Sequence, residues 1–339
     1  MTIFLNVLFL VIGMALLIKG ADFFVSGASA VAKRLKVPSI FIGLTIVALG
    51  TSLPELSVSI TSAISGSIDM SVGNVVGSNM FNMLIVIGFV ALFKPINMNK
   101  ASGKIDFPFL IAITGVFTLF GMDVMLNGAS ENVLSRTESI ILFILLALYL
   151  AILIFNAKRT RKRKLKQENY YRQQNIQIYE EKDEIKDLKV WQIILCLVLG
   201  LGAVVFGGEC VATTAEFLAL QMGMSEALVG LTIVALGTSL PELVTSVVAA
   251  KKGENDLALG NVVGSNIMNI SLILGSVGLI GQAPVSSVIL TDMIILFVST
   301  IIFSICCWQK EKISKLEGAL FIFIYLAYLA FAIVRNYCF

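Results

Sequence analysis

The sequence predicts an all-α integral membrane protein of ten transmembrane helices, built as two inverted five-helix repeats. Three observations carry that expectation. Of the 339 residues 57% are hydrophobic and only 14% charged, with a mean hydropathy of +0.92, the composition of a chain that crosses a bilayer many times. GLTIVALGTSLPEL occurs at Gly43 to Leu56 and again at Gly230 to Leu243, and GNVVGSN at Gly73 to Asn79 recurs at Gly260 to Asn266, both at an offset of 187 residues. Asn82 and Gly88 return as Asn269 and Gly275 at the same offset, so the chain is an internal duplication. Third, the basic residues gather in alternate loops.

Taking about 20 apolar residues as one crossing, helices fall near 3–32, 38–63, 70–92, 106–126 and 137–157. After a polar stretch, five more fall near 190–219, 226–250, 257–280, 286–308 and 316–336. The first lacks the basic leader of a signal peptide. Its Gly20, Asp22 and Ala28 are matched by Gly207, Glu209 and Ala215, so it reads as a membrane helix. Residues 1–157 form the first repeat, with its motif block at 43–88. Residues 158–189 form a polar cytoplasmic linker or surface helix, and 190–339 the second repeat, with its block at 230–275. The longest loop, about 32 residues, leaves no room for a large regulatory domain.

An odd number of crossings per repeat makes the second copy enter from the opposite side, and charge tests this. KRTRKRKLK, Lys158 to Lys166, carries seven basic residues and is expected in the cytoplasm. Topology accounts for that cluster without a lipid-binding role. Counting outward, Lys33, Arg34, Lys36, Lys94, Lys100, Lys104, Lys251, Lys252, Lys310, Lys312 and Lys315 fall on the same side, which places 22 of 25 Lys and Arg inside. Arg136 and Arg335 fall outside and Lys19 lies within the first helix, so both termini are expected to be extracytoplasmic. Inverted repeats with broken helices and a midplane site are a recurring plan of secondary transporters.

Each motif block sets an acid, Glu55 or Glu242, in the middle of an apolar stretch. A charge at the bilayer centre costs at least about 3 kcal/mol and therefore faces a partner, a cavity or an ion. Both copies obey this, so the two carboxylates are expected to meet. Pro54 and Pro241 remove a helix donor and crowd the carbonyls of Gly50 and Gly237, and irregular backbone at that depth must be buried or line a cavity. Thr51, Ser52, Glu55 and Ser59 share a helix face, as do Thr238, Ser239, Glu242 and Ser246. Asn74, Ser78 and Asn82 form a second stripe, repeated as Asn261, Ser265 and Asn269. GNVVG also fits close helix packing.

With no His in the chain and no Cys in either motif, these residues make a hard-oxygen ligand set suited to Ca²⁺ or Na⁺. The same absence excludes a His-containing zinc motif and a Ser-His nucleophile. Two ionised glutamates balance one Ca²⁺ or two Na⁺ but not both together, and mutual exclusion is the basis of antiport. A channel would pass Ca²⁺ without a counter-ion. An intramembrane protease would use Asp rather than Glu after Pro. The five cysteines read as small core hydrophobes. Asp22 and Lys19, three residues apart, look like a local pair, whereas Glu209 has no such basic neighbour; a gate or ion-path role is open for both acids. No cofactor is expected beyond the transported ions. The expected partner is the lipid bilayer of the cell membrane, with no nucleic acid and no obligatory protein partner.

Two long motifs, each present twice on five-helix halves, make the chain resemble the prokaryotic sodium/calcium exchangers of the cation/calcium antiporter superfamily over nearly its whole length. The resemblance implies that Glu55 and Glu242 clamp Ca²⁺, assisted by the carbonyls of Thr51 and Thr238. It implies that Na⁺ uses the same glutamates with Ser52, Ser239, Ser78, Ser265 and the carbonyls of Ala48 and Ala235, and that Asn82 and Asn269 close the centre. The proton-coupled calcium exchangers of the superfamily carry a GNxxE pattern, so GTSLPEL favours sodium over a Ca²⁺/H⁺ antiporter. Potassium-dependent members and some archaeal relatives have Asp where this chain has Asn269, which implies potassium independence. A third Na⁺ would make transport electrogenic, at about 2.3 kcal/mol per charge per 100 mV. In that family the first and sixth helices slide across a rigid bundle. Here they carry Gly13, Gly20 and Gly27, and Gly200, Gly202, Gly207 and Gly208, which suit close contact, although glycine is common in membrane helices.

Overall fold

A computed structural model describes residues 3–97, 103–173, 188–222, 235–309 and 312–338. The start of the second motif block, 230–234, lies outside them. The described chain is almost entirely helical. In order it forms α1 (Ile3–Leu35), α2 (Ser39–Thr51), α3 (Leu53–Ile64), α4 (Ile68–Phe93), α5 (Gly103–Phe120), α6 (Asp123–Asn127) and α7 (Arg136–Gln173). There follow α8 (Val190–Gln221), α9 (Ala235–Gly237), α10 (Leu240–Lys251), α11 (Asn255–Ile280), α12 (Ser287–Gln309) and α13 (Lys315–Cys338). Among the described residues seven helices are long and apolar enough to span a membrane, or eight if α2 and α3, bent by 45° about Ser52, count as one span.

Three boundaries differ from expectation for identifiable reasons. The second helix breaks at Ser52, two residues before Pro54. The fourth stops at Phe120, where Gly121 closes a turn on the Phe117 carbonyl before the short α6. The fifth runs past 157 through the basic cluster to Gln173, because Lys, Arg and Gln are good helix formers once the chain leaves the apolar core.

Burial separates an inner from an outer set. The apolar windows of α4 and α11 are 78% buried, against 22% for α1 and α8. The duplicated GNVVGSN helices therefore form the centre, and α1 and α8 turn large side chains such as Phe4, Val11, Val198 and Phe206 outward, as lipid-facing helices do. α1 and α8 pack antiparallel on each other with glycine at the contact. A Cβ at Gly20 would stand 2.8 Å from that of Ala203, and one at Gly207 2.7 Å from the Leu17 nitrogen. Gly202 by contrast meets nothing within 4 Å.

The two halves exchange their last helices. α13 lies on the second half of α4, where Gly88 meets Gly318 and Ile322. α7 lies on the second half of α11, where Gly275 meets Phe143. This explains why Gly88 and Gly275 recur. Two short antiparallel ribbons repeat the exchange. β1 (Ile96–Asn97) pairs with β4 (Lys312–Ile313), and β2 (Val133–Leu134) with β3 (Ala283–Pro284). Behind β2 and β4 the chain makes the same capping box, in which the Glu138 carboxylate accepts from the Ser135 N–H at 2.7 Å and the Glu317 carboxylate from the Ser314 N–H at 2.8 Å. Gly66 (φ +88°) and Gly253 (φ +83°), at matched positions, turn α3 into α4 and α10 into α11 through a backbone conformation that disfavours any Cβ.

Candidate cation-binding site

The site is built where the two broken helices meet the two central ones. Ser52 (φ −83°, ψ 6°) ends α2 and Ser239 (φ −92°, ψ 5°) precedes α10, so the two copies break at the same serine. Pro54 and Pro241 then occupy the first turn of the following helix, where a missing N–H costs nothing. The Gly50 carbonyl is not left free, because backbone N–H groups at the Ser52 cap turn to the Ala48 and Gly50 oxygens. Glu55 and Glu242 thus enter in the first turn of α3 and α10, and both are fully buried.

The breaks bring the acids together crosswise. Ser239 Oγ donates to Glu55 Oε1 at 3.0 Å, and Ser52 Oγ donates to Glu242 Oε1 at 3.3 Å. Each carboxylate is therefore held by the serine that precedes the other. Ser265 Oγ adds a second contact to Glu242 Oε1 at 3.4 Å. The other oxygen of each carboxylate, Oε2, is buried without a protein partner among the described residues, as are Ser78 Oγ, Thr238 Oγ1, Asn82 Oδ1 and Asn269 Oδ1. Buried charges are paired or coordinate cations, and this cluster of unsatisfied oxygens suits a hard cation. Among the described residues no group of three or more His, Cys, Asp or Glu side chains assembles, so two carboxylates supply all the charge.

A supporting layer lies behind. Asn74 Nδ2 donates to Ser59 Oγ at 3.1 Å and Asn261 Nδ2 to Ser246 Oγ at 3.0 Å, the same bond in each repeat. Thr51 Oγ1 donates to Asn261 Oδ1 at 3.0 Å and lies 3.4 Å from Ser265 Oγ. The Ala48 carbonyl accepts the Ser52 N–H at 3.0 Å and lies 3.4 Å from Thr51 Oγ1. Ala235 opens α9, and Thr238 lies in the break. Asn82 and Asn269 sit in π-helical turns, Phe81–Val86 and Asn269–Leu274, that the sequence stripes do not reveal. Such turns concentrate at functional sites.

Two residues outside the candidate set join the centre. Asn79 and Asn266 cross-bond reciprocally, each side-chain amide donating to the other's backbone carbonyl at 3.2 and 3.3 Å. Their recurrence in GNVVGSN was the only signal. One pairing is corrected: Asp22 does not pair with Lys19 but with Lys252, at 2.8 Å, because Lys252 at the end of α10 reaches the Asp22 carboxylate and carbonyl and Ser26 Oγ together.

Residues 5–155 and 192–334 match the family model described as sodium/calcium exchanger protein. The chain belongs to that family. It is a transporter family, and no enzymatic family is indicated. Among this exchanger's relatives, the sodium/calcium exchanger MaX1 of Methanosarcina acetivorans is 34% identical over 344 residues, covering 96% of this chain and 97% of that protein. The inner membrane protein YrbG of Escherichia coli is 30% identical over 303 residues, covering 89% and 88%. A solved structure of the sodium-calcium exchanger NCX_Mj superposes with a TM-score of 0.80 at 28% identity, covering 97% of this chain and 99% of that one.

Proposed function

We propose that the protein exchanges Na⁺ for Ca²⁺ across the cell membrane by alternating access, independently of K⁺. The observation that carries this is the crossed pair of buried glutamates, each with one oxygen held by the opposite repeat's serine and one without a protein partner among the described residues. Glu55 and Glu242 hold Ca²⁺ with the Thr51 and Thr238 carbonyls. Na⁺ takes the same carboxylates with Ser52, Ser239, Ser78, Ser265 and the Ala48 and Ala235 carbonyls, while Asn82 and Asn269 close the centre. Two negative charges are neutralised by one Ca²⁺ or by two Na⁺, so the ions displace one another. Sodium as the coupling ion is supported by MaX1 and NCX_Mj, both sodium/calcium exchangers by name. Asn269 has an amide where a fixed charge would attract K⁺.

Ten helices in two inverted repeats give the frame. The crossed ribbons and exchanged last helices support inversion, because the loop before the fourth expected crossing of each half pairs with the loop after the fourth expected crossing of the other. The glycine contacts of α1 with α8 support sliding of that pair across the bundle, which would carry the site from one side to the other. ⁴⁵Ca²⁺ uptake into proteoliposomes preloaded with Na⁺, beside vesicles loaded with K⁺ or with an acidic interior, tests the reading. Uptake that requires internal Na⁺ and ignores K⁺ is expected. Uptake driven by the proton gradient alone would overturn sodium coupling.

A further inference from the structure

We propose that Asn79 is a positioning residue for the cation site: it fixes the Asn269 carboxamide so that its oxygen, not its nitrogen, faces the ion. The inference rests on the exchanger reading of the glutamate pair and deepens it at the centre. Asn79 closes the GNVVGSN motif midway along α4 and is buried, as are Asn266, Asn269 and Asn82. Its Oδ1 accepts from Asn269 Nδ2 at 3.0 Å, its Nδ2 donates to the Asn266 carbonyl at 3.2 Å, and its own carbonyl accepts from Asn266 Nδ2 at 3.3 Å. The side chain therefore has both ends engaged and cannot flip without losing two bonds.

An amide presents nitrogen and oxygen on opposite edges. With Nδ2 turned to Asn79, Asn269 Oδ1 points the other way and is buried without a protein partner among the described residues. The π-helical turn that carries Asn269 packs against α3, which brings in Glu55. The duplicated counterpart is not formed. Asn266 Oδ1 and Asn82 Nδ2, which would make the matching bond, both stand without a partner among the described residues. Asn269 is thus the one oriented amide of the pair, and a flipped amide would set an N–H donor against a cation.

The test is a cycle of N79A, N269A and the double variant, read by equilibrium ⁴⁵Ca²⁺ binding to the purified protein and by the maximal rate of Na⁺-driven uptake. N79A is expected to weaken Ca²⁺ binding about tenfold, the scale of one buried hydrogen bond, with the maximal rate within about twofold. In the N269A background it should cost nothing further, because Asn79 acts through Asn269. Should N79A fail to insert, N79S repeats the test, since it keeps a polar group but falls short of Asn269. Unchanged affinity in N79A, or a loss that adds in full to that of N269A, would overturn the proposal. A parent protein that binds Ca²⁺ but shows no Na⁺-driven uptake would instead overturn the exchanger reading alone.

Discussion

Glu55 and Glu242 are isolated acids surrounded by serine, threonine and asparagine, and their neighbours set what each can do. A carboxylate whose second oxygen has no protein partner gains most from a cation, and an amide in its place keeps the shape while removing the charge. Glu55→Gln or Glu242→Gln should abolish Ca²⁺ flux while the protein inserts and elutes as the parent does in size-exclusion chromatography; near-normal flux in either would remove that residue from the site. These acids were legible in the sequence because an acid in an apolar stretch, twice, after proline, is too costly to keep without a partner or an ion. Partner identity was not legible in the same way. Ser52 and Ser239 could be placed on the face of their own glutamate, but only the fold reveals that each serves the other one. Asp22 fails for the same reason: a partner three residues away in sequence loses to Lys252, 230 residues away.

At the scale of the element, glycine and proline decide where helices break and how near they approach. Proline placed the break within two residues, and the recurring glycines marked contacts. The π-helical turns were invisible, since a one-residue bulge leaves composition and hydropathy unchanged. The two capping boxes, Ser135 with Glu138 and Ser314 with Glu317, could have been read from the spacing, but hydropathy dominated the placement of those helices. Gly260 and Gly202 provide a controlled comparison. A Cβ at Gly260 would stand 2.7 Å from the Ile40 carbonyl oxygen and 3.0 Å from the Leu44 nitrogen, both backbone atoms that cannot turn aside. Gly260→Ala should cost about 1–3 kcal/mol as α11 is forced from α2, seen as a lower melting temperature in detergent. Gly202→Ala, in open space on α8, should be neutral or gain up to about 1 kcal/mol from the helix propensity of alanine.

For the whole molecule, the apolar helical character and the duplication were readable because hydropathy and repetition are properties of long stretches; of the ten expected crossings, seven or eight are long and apolar enough among the described residues. The exchange of last helices was not, since nothing in α7 or α13 names the helix it will lie against. The bidentate pair of Arg335 with Asp292, at 3.0 and 2.9 Å, anchors α13 to α12 near the chain's end. If the second repeat is inverted relative to the first, as proposed, a reporter fused at the C-terminus should be active only outside the cytoplasm, and one inserted in the basic extension of α7 only within it. Activity of the C-terminal fusion in the cytoplasm would contradict the inversion. The exchange also bears on ancestry. A half-length chain with a single motif block would leave the Gly88 face of its central helix against lipid, because the helix that covers that face belongs to the other half. Under the proposed inversion, such a chain could complete its core only by meeting a twin inserted upside down. Under the proposed inversion, the fused chain holds in one molecule the two orientations that such a pair of half-length chains would need.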